Sequence, residues 1–130
     1  MKSFILNKLV RDKILDDMQN KGQQAALKEL SDKEFLHELS RKLVEEANEF
    51  SSADPKEALK ELADVLEVVE ALAGAIGSDF ESLRAIQSER KAKRGGFDKR
   101  IYVGRLDLAD DDPWVDYYAE DPEKYKEVEE

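Results

Sequence analysis

Two groups of carboxylates stand out in this chain: Glu45, Glu46 and Glu49 in the stretch VEEANEF, and Glu61 and Asp64 in KELADVL. Oxygen donors on rigid backbone suit a hard divalent cation such as Mg²⁺ or Mn²⁺. The chain has no cysteine, and its one histidine, His37, is too far from either group in sequence to argue for zinc. Acidic side chains that face one another at short range repel unless a cation lies between them. The chemistry these residues offer is therefore metal binding, provided the fold brings the two groups face to face.

Helical periodicity suggests that it does. At 100° per residue, Phe35, Leu36, Leu39, Leu43 and Phe50 form one apolar stripe, and Glu46 falls inside it, where Leu or Ile is expected. Glu49 lies on the flank of that stripe one turn along, and Glu45 lies further round. The next stretch has an apolar arc through Ala58, Leu59, Leu62, Val65, Val68, Val69, Leu72 and Ile76. Glu61 sits inside the edge of this arc and Asp64 just outside it. An ionised carboxylate buried alone costs several kcal/mol, so such a group must be neutralised, paired or bound to metal. Acidic runs on helices are commonly solvated faces, and Lys42, Lys56 and Lys60 stand at pairing distance. Acids that intrude on two facing apolar stripes weigh against that simpler account.

The elements that must position these groups announce themselves at their starts. Ser31-Asp-Lys-Glu34, Asp54-Pro-Lys-Glu57 and Ser78-Asp-Phe-Glu81 each have a cap residue followed three later by Glu. Pro55 suits a first helical position, where its missing N–H is not needed. These signals predict helices over about 32–51, 55–76 and 79–94, after an earlier helix over about 9–21 that ends at Gly22. The short link around Ser51–Asp54 implies an antiparallel hairpin. At 1.5 Å per residue, Glu46 and Glu49 lie roughly 5–10 Å before the turn, and Glu61 and Asp64 roughly 10–15 Å after it. Past Gly95-Gly96, Phe97 and Ile101 to Val103 suggest a short strand, with Ser3 to Leu6 as its partner. The expected fold class is all-α, an antiparallel helical bundle with room for one small strand pair. Asp110-Asp-Asp-Pro113 should break any element, and Asp121-Pro122 should open a last short helix.

Composition sets the wider bounds. With 130 residues the chain has room for one modest core. The absence of cysteine fits a reducing cytoplasm, and no stretch is long enough to span a bilayer. The net charge of −10 is uneven: residues 1–106 hold 20 acids and 19 bases, and residues 107–130 hold 11 acids and 2 bases. No basic face is left for nucleic acid. The division gives a body over 1–106 and an acidic tail over 107–130, in which Trp114, Tyr117, Tyr118 and Tyr125 sit among acids. A surface clasp burying a few rings is the simplest account of them. Two clusters of bases remain to hold an anion: Lys8, Arg11 and Lys13 near the start, and Lys91, Lys93 and Arg94 ahead of Gly95-Gly96. The second cluster is equally good helix C-terminal chemistry.

Three segments in order carry a resemblance: Asn7-Lys-Leu-Val-Arg-Asp-Lys-Ile14; Glu45-Glu46-x-x-Glu49, eleven residues, then Glu61-x-x-Asp64; and Lys91-Ala-Lys-Arg-Gly-Gly-Phe97. Together they resemble the MazG-type all-α nucleoside triphosphate pyrophosphohydrolases, in their small single-domain house-cleaning branch, over about residues 4–106. The resemblance implies a Mg²⁺-dependent hydrolase, with Mn²⁺ as a substitute, that cleaves a standard or damaged nucleoside triphosphate between its α- and β-phosphates. The products are the monophosphate and pyrophosphate. It implies Glu46, Glu49, Glu61 and Asp64 as metal ligands and Glu45 as the group that orients or activates water. It favours Lys8 and Arg11 for the phosphates, with Lys13, Lys91, Lys93 and Arg94 as further candidates. It also implies a homodimer or homotetramer built through the helical core, with the site near an interface. Phosphoribosyl-ATP pyrophosphohydrolase, with a related fold and acidic pattern, is the enzymatic alternative, and the KLVRDKI opening argues against it. A non-catalytic helical module that binds metal or a partner is the alternative of another class.

Overall fold

The computed structural model describes residues 1–129 and is all-helical over them, with no strand. Its elements are α1 (Asp12–Asn20), α2 (Asp32–Ser52), α3 (Ala58–Ala75), α4 (Phe80–Arg94) and α5 (Trp114–Ala119). The chain divides into two units, the first Met1–Arg94 and the second beginning at Gly95.

Within the first unit, α2 and α3 form the hairpin expected from their short link, and α4 packs on α3. The start of α2 is the full capping box: Glu34 N donates to Ser31 Oγ at 3.2 Å, and Ser31 N donates to Glu34 Oε1 at 3.2 Å. The other two caps differ from expectation. Asp54 accepts from Lys56 N at 3.0 Å, two residues on, so residues 55–57 form a turn and α3 begins only at Ala58. Glu57 turns instead to Lys60, at 3.3 Å. The cap of α4 is Asp79 rather than Ser78, with Asp79 Oδ1 accepting from Ser82 N at 2.7 Å. Ser78 N is already committed, donating to Ala73 O at 2.8 Å in the turn that ends α3. That turn needs the left-handed backbone of Gly77 (φ 83°), as the end of α1 needs Gly22 (φ 73°).

The helix α1 starts at Asp12, three residues later than periodicity suggested, leaving Lys8 to Arg11 outside the helix. The strand pair does not form: Ser3–Leu6 and Ile101–Val103 carry no regular structure. An isolated two-stranded pair has little independent stability, and nothing else offers a sheet to extend it.

The core of the first unit is thin. Leu39, Val68 and Ala73 are its buried apolar residues. Along α3 the positions 59, 62, 66, 69, 73 and 76 recur at alternating spacings of three and four, a seam suited to another helix. Much of that seam faces solvent, with Leu59 78% exposed, Leu62 48%, Leu66 50% and Ile76 69%.

In the second unit, Pro113 precedes α5, and Asp112 Oδ1 accepts from Trp114 N at 2.8 Å, so the acidic break of 110–113 serves as a helix start. Asp121-Pro122 opens a single turn, not a helix, closed by Tyr125 N on Asp121 O at 2.9 Å. The four tail aromatics pack edge to face on one another, with Trp114–Tyr117, Tyr117–Tyr118 and Tyr118–Tyr125 centroids at 5.2, 5.1 and 4.9 Å. The rings cluster on one another without being buried as a clasp would bury them: Trp114 stays 57% exposed and Tyr117 50%.

Candidate functional site

The hairpin brings the two carboxylate groups together. Glu46 from α2 and Glu61 and Asp64 from α3 each offer an oxygen, and these three atoms lie within 4.8 Å of one another. Glu46 occupies the stripe position that helical periodicity assigned to it and is 7% exposed. Its neighbours in that stripe are Leu39, one of the three buried apolar residues, and Leu43, half-buried. Glu61 and Asp64 are half-buried. Glu49 is exposed on the next turn, yet near enough for its charge to act on Glu46.

Burial pushes the Glu46 carboxyl above its ordinary value, the Lys42 hydrogen bond opposes that rise, and the charges of Glu49 and Asp64 add to it. Two buried oxygens, Glu46 Oε2 and Glu61 Oε2, have no hydrogen-bond partner. Buried acceptors are nearly always satisfied, so a pair of orphans on facing helices needs an explanation. A hard cation supplies one: it takes oxygen ligands, and at this point three carboxylates from two rigid elements converge. The donor set thus fits a hard divalent cation.

Cations already border the group. Arg11 Nη1 donates to Asp64 Oδ1 at 3.3 Å. Lys42 Nζ reaches Glu46 Oε1 at 3.4 Å and Glu45 Oε2 at 3.5 Å, and Lys8 Nζ reaches Glu45 Oε1 at 3.7 Å. Lys8 and Arg11 both lie in the segment just before α1, which meets the hairpin through these pairs.

Two clefts flank the carboxylates. One, of about 270 Å³, is lined by Arg11, Ile14, Lys42, Glu46, Asp64, Glu67 and Val68. The other, of about 240 Å³, is lined by Asn7, Lys8, Leu9, Glu38, Arg41, Lys42 and Glu45. Lys13 lies exposed on α1 and Lys91, Lys93 and Arg94 lie exposed at the end of α4, and none of the four lines either cleft. Lys93 pairs with Glu89 at 3.4 Å along its own helix.

The side chain beside the carboxylates that sequence reasoning undervalued is Lys42. It was visible as a pairing lysine. The signal that singles it out is its spacing, three residues before Glu45 and four before Glu46, which lets one ammonium reach both on a helix.

No protein-family model, no curated protein and no solved structure matches the chain.

Proposed function

We propose that this protein is a Mg²⁺-dependent nucleoside triphosphate pyrophosphohydrolase, releasing a nucleoside monophosphate and pyrophosphate. The observation that carries the reading is the pair of partnerless buried oxygens on Glu46 and Glu61, converging with Asp64 across the hairpin. The MazG-like order of segments then selects the reaction among those a metal site can serve.

In this reading Glu46, Glu61 and Asp64 hold the ion, with Glu49 as a fourth ligand from the exposed turn of α2. A bound divalent ion supplies Lewis-acid polarisation of the phosphate and a more acidic water. Glu45, outside the three-carboxylate group and 34% exposed at its side chain, can orient a water and accept its proton. That water delivers its hydroxyl to phosphorus as the bond between the α- and β-phosphates breaks. Lys8 and Arg11 stand beside the acids, where each can leave its carboxylate for a phosphate oxygen. The exposed heptad seam of α3 supports assembly with a second copy, because an uncovered apolar stripe of this length marks an interface. A dimer or tetramer would cover it.

The ion pairs Arg11–Asp64 and Lys42–Glu46 favour a second reading, a non-catalytic module whose acids are neutralised internally. One experiment separates the two. The protein is incubated with Mg²⁺ or Mn²⁺ and a panel of standard and damaged nucleoside triphosphates, with phosphoribosyl-ATP included, and pyrophosphate and orthophosphate are measured separately. Pyrophosphate release from at least one substrate is expected. Its absence with every substrate and every ion puts the binding module in front.

A further inference from the structure

The structure places one lysine at the border of both clefts that flank the carboxylates. Lys42 lines both clefts, touches both Glu45 and Glu46, and has a side chain only 17% exposed. Such positions are seldom given to lysine on a helix whose neighbouring turn is apolar, because covering an ammonium has a desolvation cost. Its contacts show what offsets that cost. Glu46 presents Oε1 to Lys42 and leaves Oε2 without a partner. The lysine thus neutralises the carboxylate without occupying its second oxygen. With Arg11 on Asp64, two positive charges offset most of a three-carboxylate group that would otherwise repel itself.

A divalent ion at these carboxylates changes the balance. It brings two charges to a group already holding two, so Lys42 and the ion oppose one another across Glu46. A lysine is well suited to yield, being a flexible four-carbon stem with three rotatable donors and no fixed fork geometry. A triphosphate entering beside the ion supplies about four negative charges, and an ammonium lining both clefts lies within their reach.

We propose that Lys42 is a positioning residue shared between two partners: it is the internal counter-ion of Glu45 and Glu46 while the site is empty of metal, and it turns to substrate phosphate oxygens once metal is bound. The consequence is coupling. Lys42 weakens the binding of metal alone and strengthens the binding of metal with triphosphate, so the site fills with both together rather than with stray divalent ions. By linkage the same factor raises metal affinity when nucleotide is present. The phosphate half of this inference rests on the pyrophosphohydrolase reading; the counter-ion half does not.

The test compares the wild type with Lys42→Met, Lys42→Gln and Lys42→Arg, each checked for helicity by circular dichroism. Mn²⁺ binding to the metal-free protein is measured by electron paramagnetic resonance. Binding of an α,β-methylene nucleoside triphosphate, which cannot be cleaved at the relevant bond, is measured calorimetrically in saturating Mg²⁺. The expected result is Mn²⁺ binding about three- to tenfold tighter in Lys42→Met and Lys42→Gln, with analogue binding about tenfold weaker, as loss of one charge-assisted contact implies. Lys42→Arg should restore most of the analogue affinity. Loss of a merely structural ion pair would not tighten metal binding. Unchanged or weaker Mn²⁺ binding in both neutral variants, while the wild type binds the analogue, overturns the inference and leaves the pyrophosphohydrolase reading standing. A wild type that takes Mn²⁺ but neither binds the analogue nor releases pyrophosphate overturns that reading and the phosphate half with it.

Discussion

Replacing Glu46 by leucine should make the metal-free protein more stable while abolishing its response to metal. Glu46 occupies a position in the α2 stripe whose neighbours Leu39 and Leu43 call for an aliphatic side chain, and it is 7% exposed. Its Oε2 is buried without a partner, an arrangement that costs about 1–3 kcal/mol. Leucine at the same place removes that cost and buries apolar surface, which contributes on the order of 1.5–3 kcal/mol when complete. Against this stands the ion pair with Lys42, a partly covered contact of about 1 kcal/mol. Lys42 is not orphaned by the change, because Glu45 remains within 3.5 Å.

These contributions together span about 1.5–5 kcal/mol. Because the Glu46 methylenes already bury part of the same surface, the lower end applies, a gain of about 2 kcal/mol, or roughly 6–8 °C in Tm for a chain of this length. The assay is thermal unfolding followed by circular dichroism at one fixed protein concentration, in chelator and in Mn²⁺. Holding concentration fixed matters because any assembly through α3 makes Tm concentration-dependent. The wild type should gain about 2.7 kcal/mol at a Mn²⁺ concentration one hundred times its Kd, and Glu46→Leu should gain nothing. A variant that loses 1 kcal/mol or more in chelator would refute the reasoning, showing that the carboxylate is held for structure. A variant that keeps the Mn²⁺ response would refute the ligand assignment.

Asp64→Asn and Glu49→Gln should each abolish turnover while leaving helicity intact; full activity in either, read by pyrophosphate release, removes that residue from the ligand set. Ser31→Ala should cost about 1 kcal/mol through loss of the capping box, measured by urea unfolding. In chelator, stability should show two opposed limbs with pH. Because burial raises the Glu46 carboxyl, the folded chain holds that proton more tightly than the unfolded chain, so stability rises as pH falls through the raised value toward the ordinary 4.5. The hydrogen bond from Lys28 draws Glu34 down to about 2, so its contribution is present above 4.5 and lost as pH falls from there to about 2. Tm measured across pH should therefore peak on the acid side of neutrality; Glu46→Leu should remove the gain above the peak, and Glu34→Gln should flatten the fall below it. Sedimentation should find the wild type as a dimer or tetramer, and Leu62→Glu with Leu66→Glu should shift it toward monomer without loss of the hairpin.

How much of this was legible in the sequence depends on whether the signal was periodic or positional. The hairpin and the intrusion of Glu46 were legible because helical period alone sets which residues share a face, and a carboxylate in a leucine position breaks that period visibly. Glu61 and Asp64 followed from the same argument carried across a short turn. The exact starts of α3 and α4 were not legible. A motif such as Asp54-Pro-Lys-Glu57 is compatible with a capping box, but which amide its side chain accepts from depends on how the preceding helix ends. At Ser78 the amide was already used by the turn closing α3, and the cap moved one residue on. The bases divide on the same principle. Lys91, Lys93 and Arg94 form a strong local pattern yet stand apart from the clefts, because a composition motif says nothing about which helix it will face. Lys42 reaches Glu45 and Glu46 because it shares α2 with them, and its distance to them is fixed by the backbone they have in common. Residues that act on one another within a single helix can be assigned from spacing, whereas residues that must meet across elements need the packing that brings the elements together.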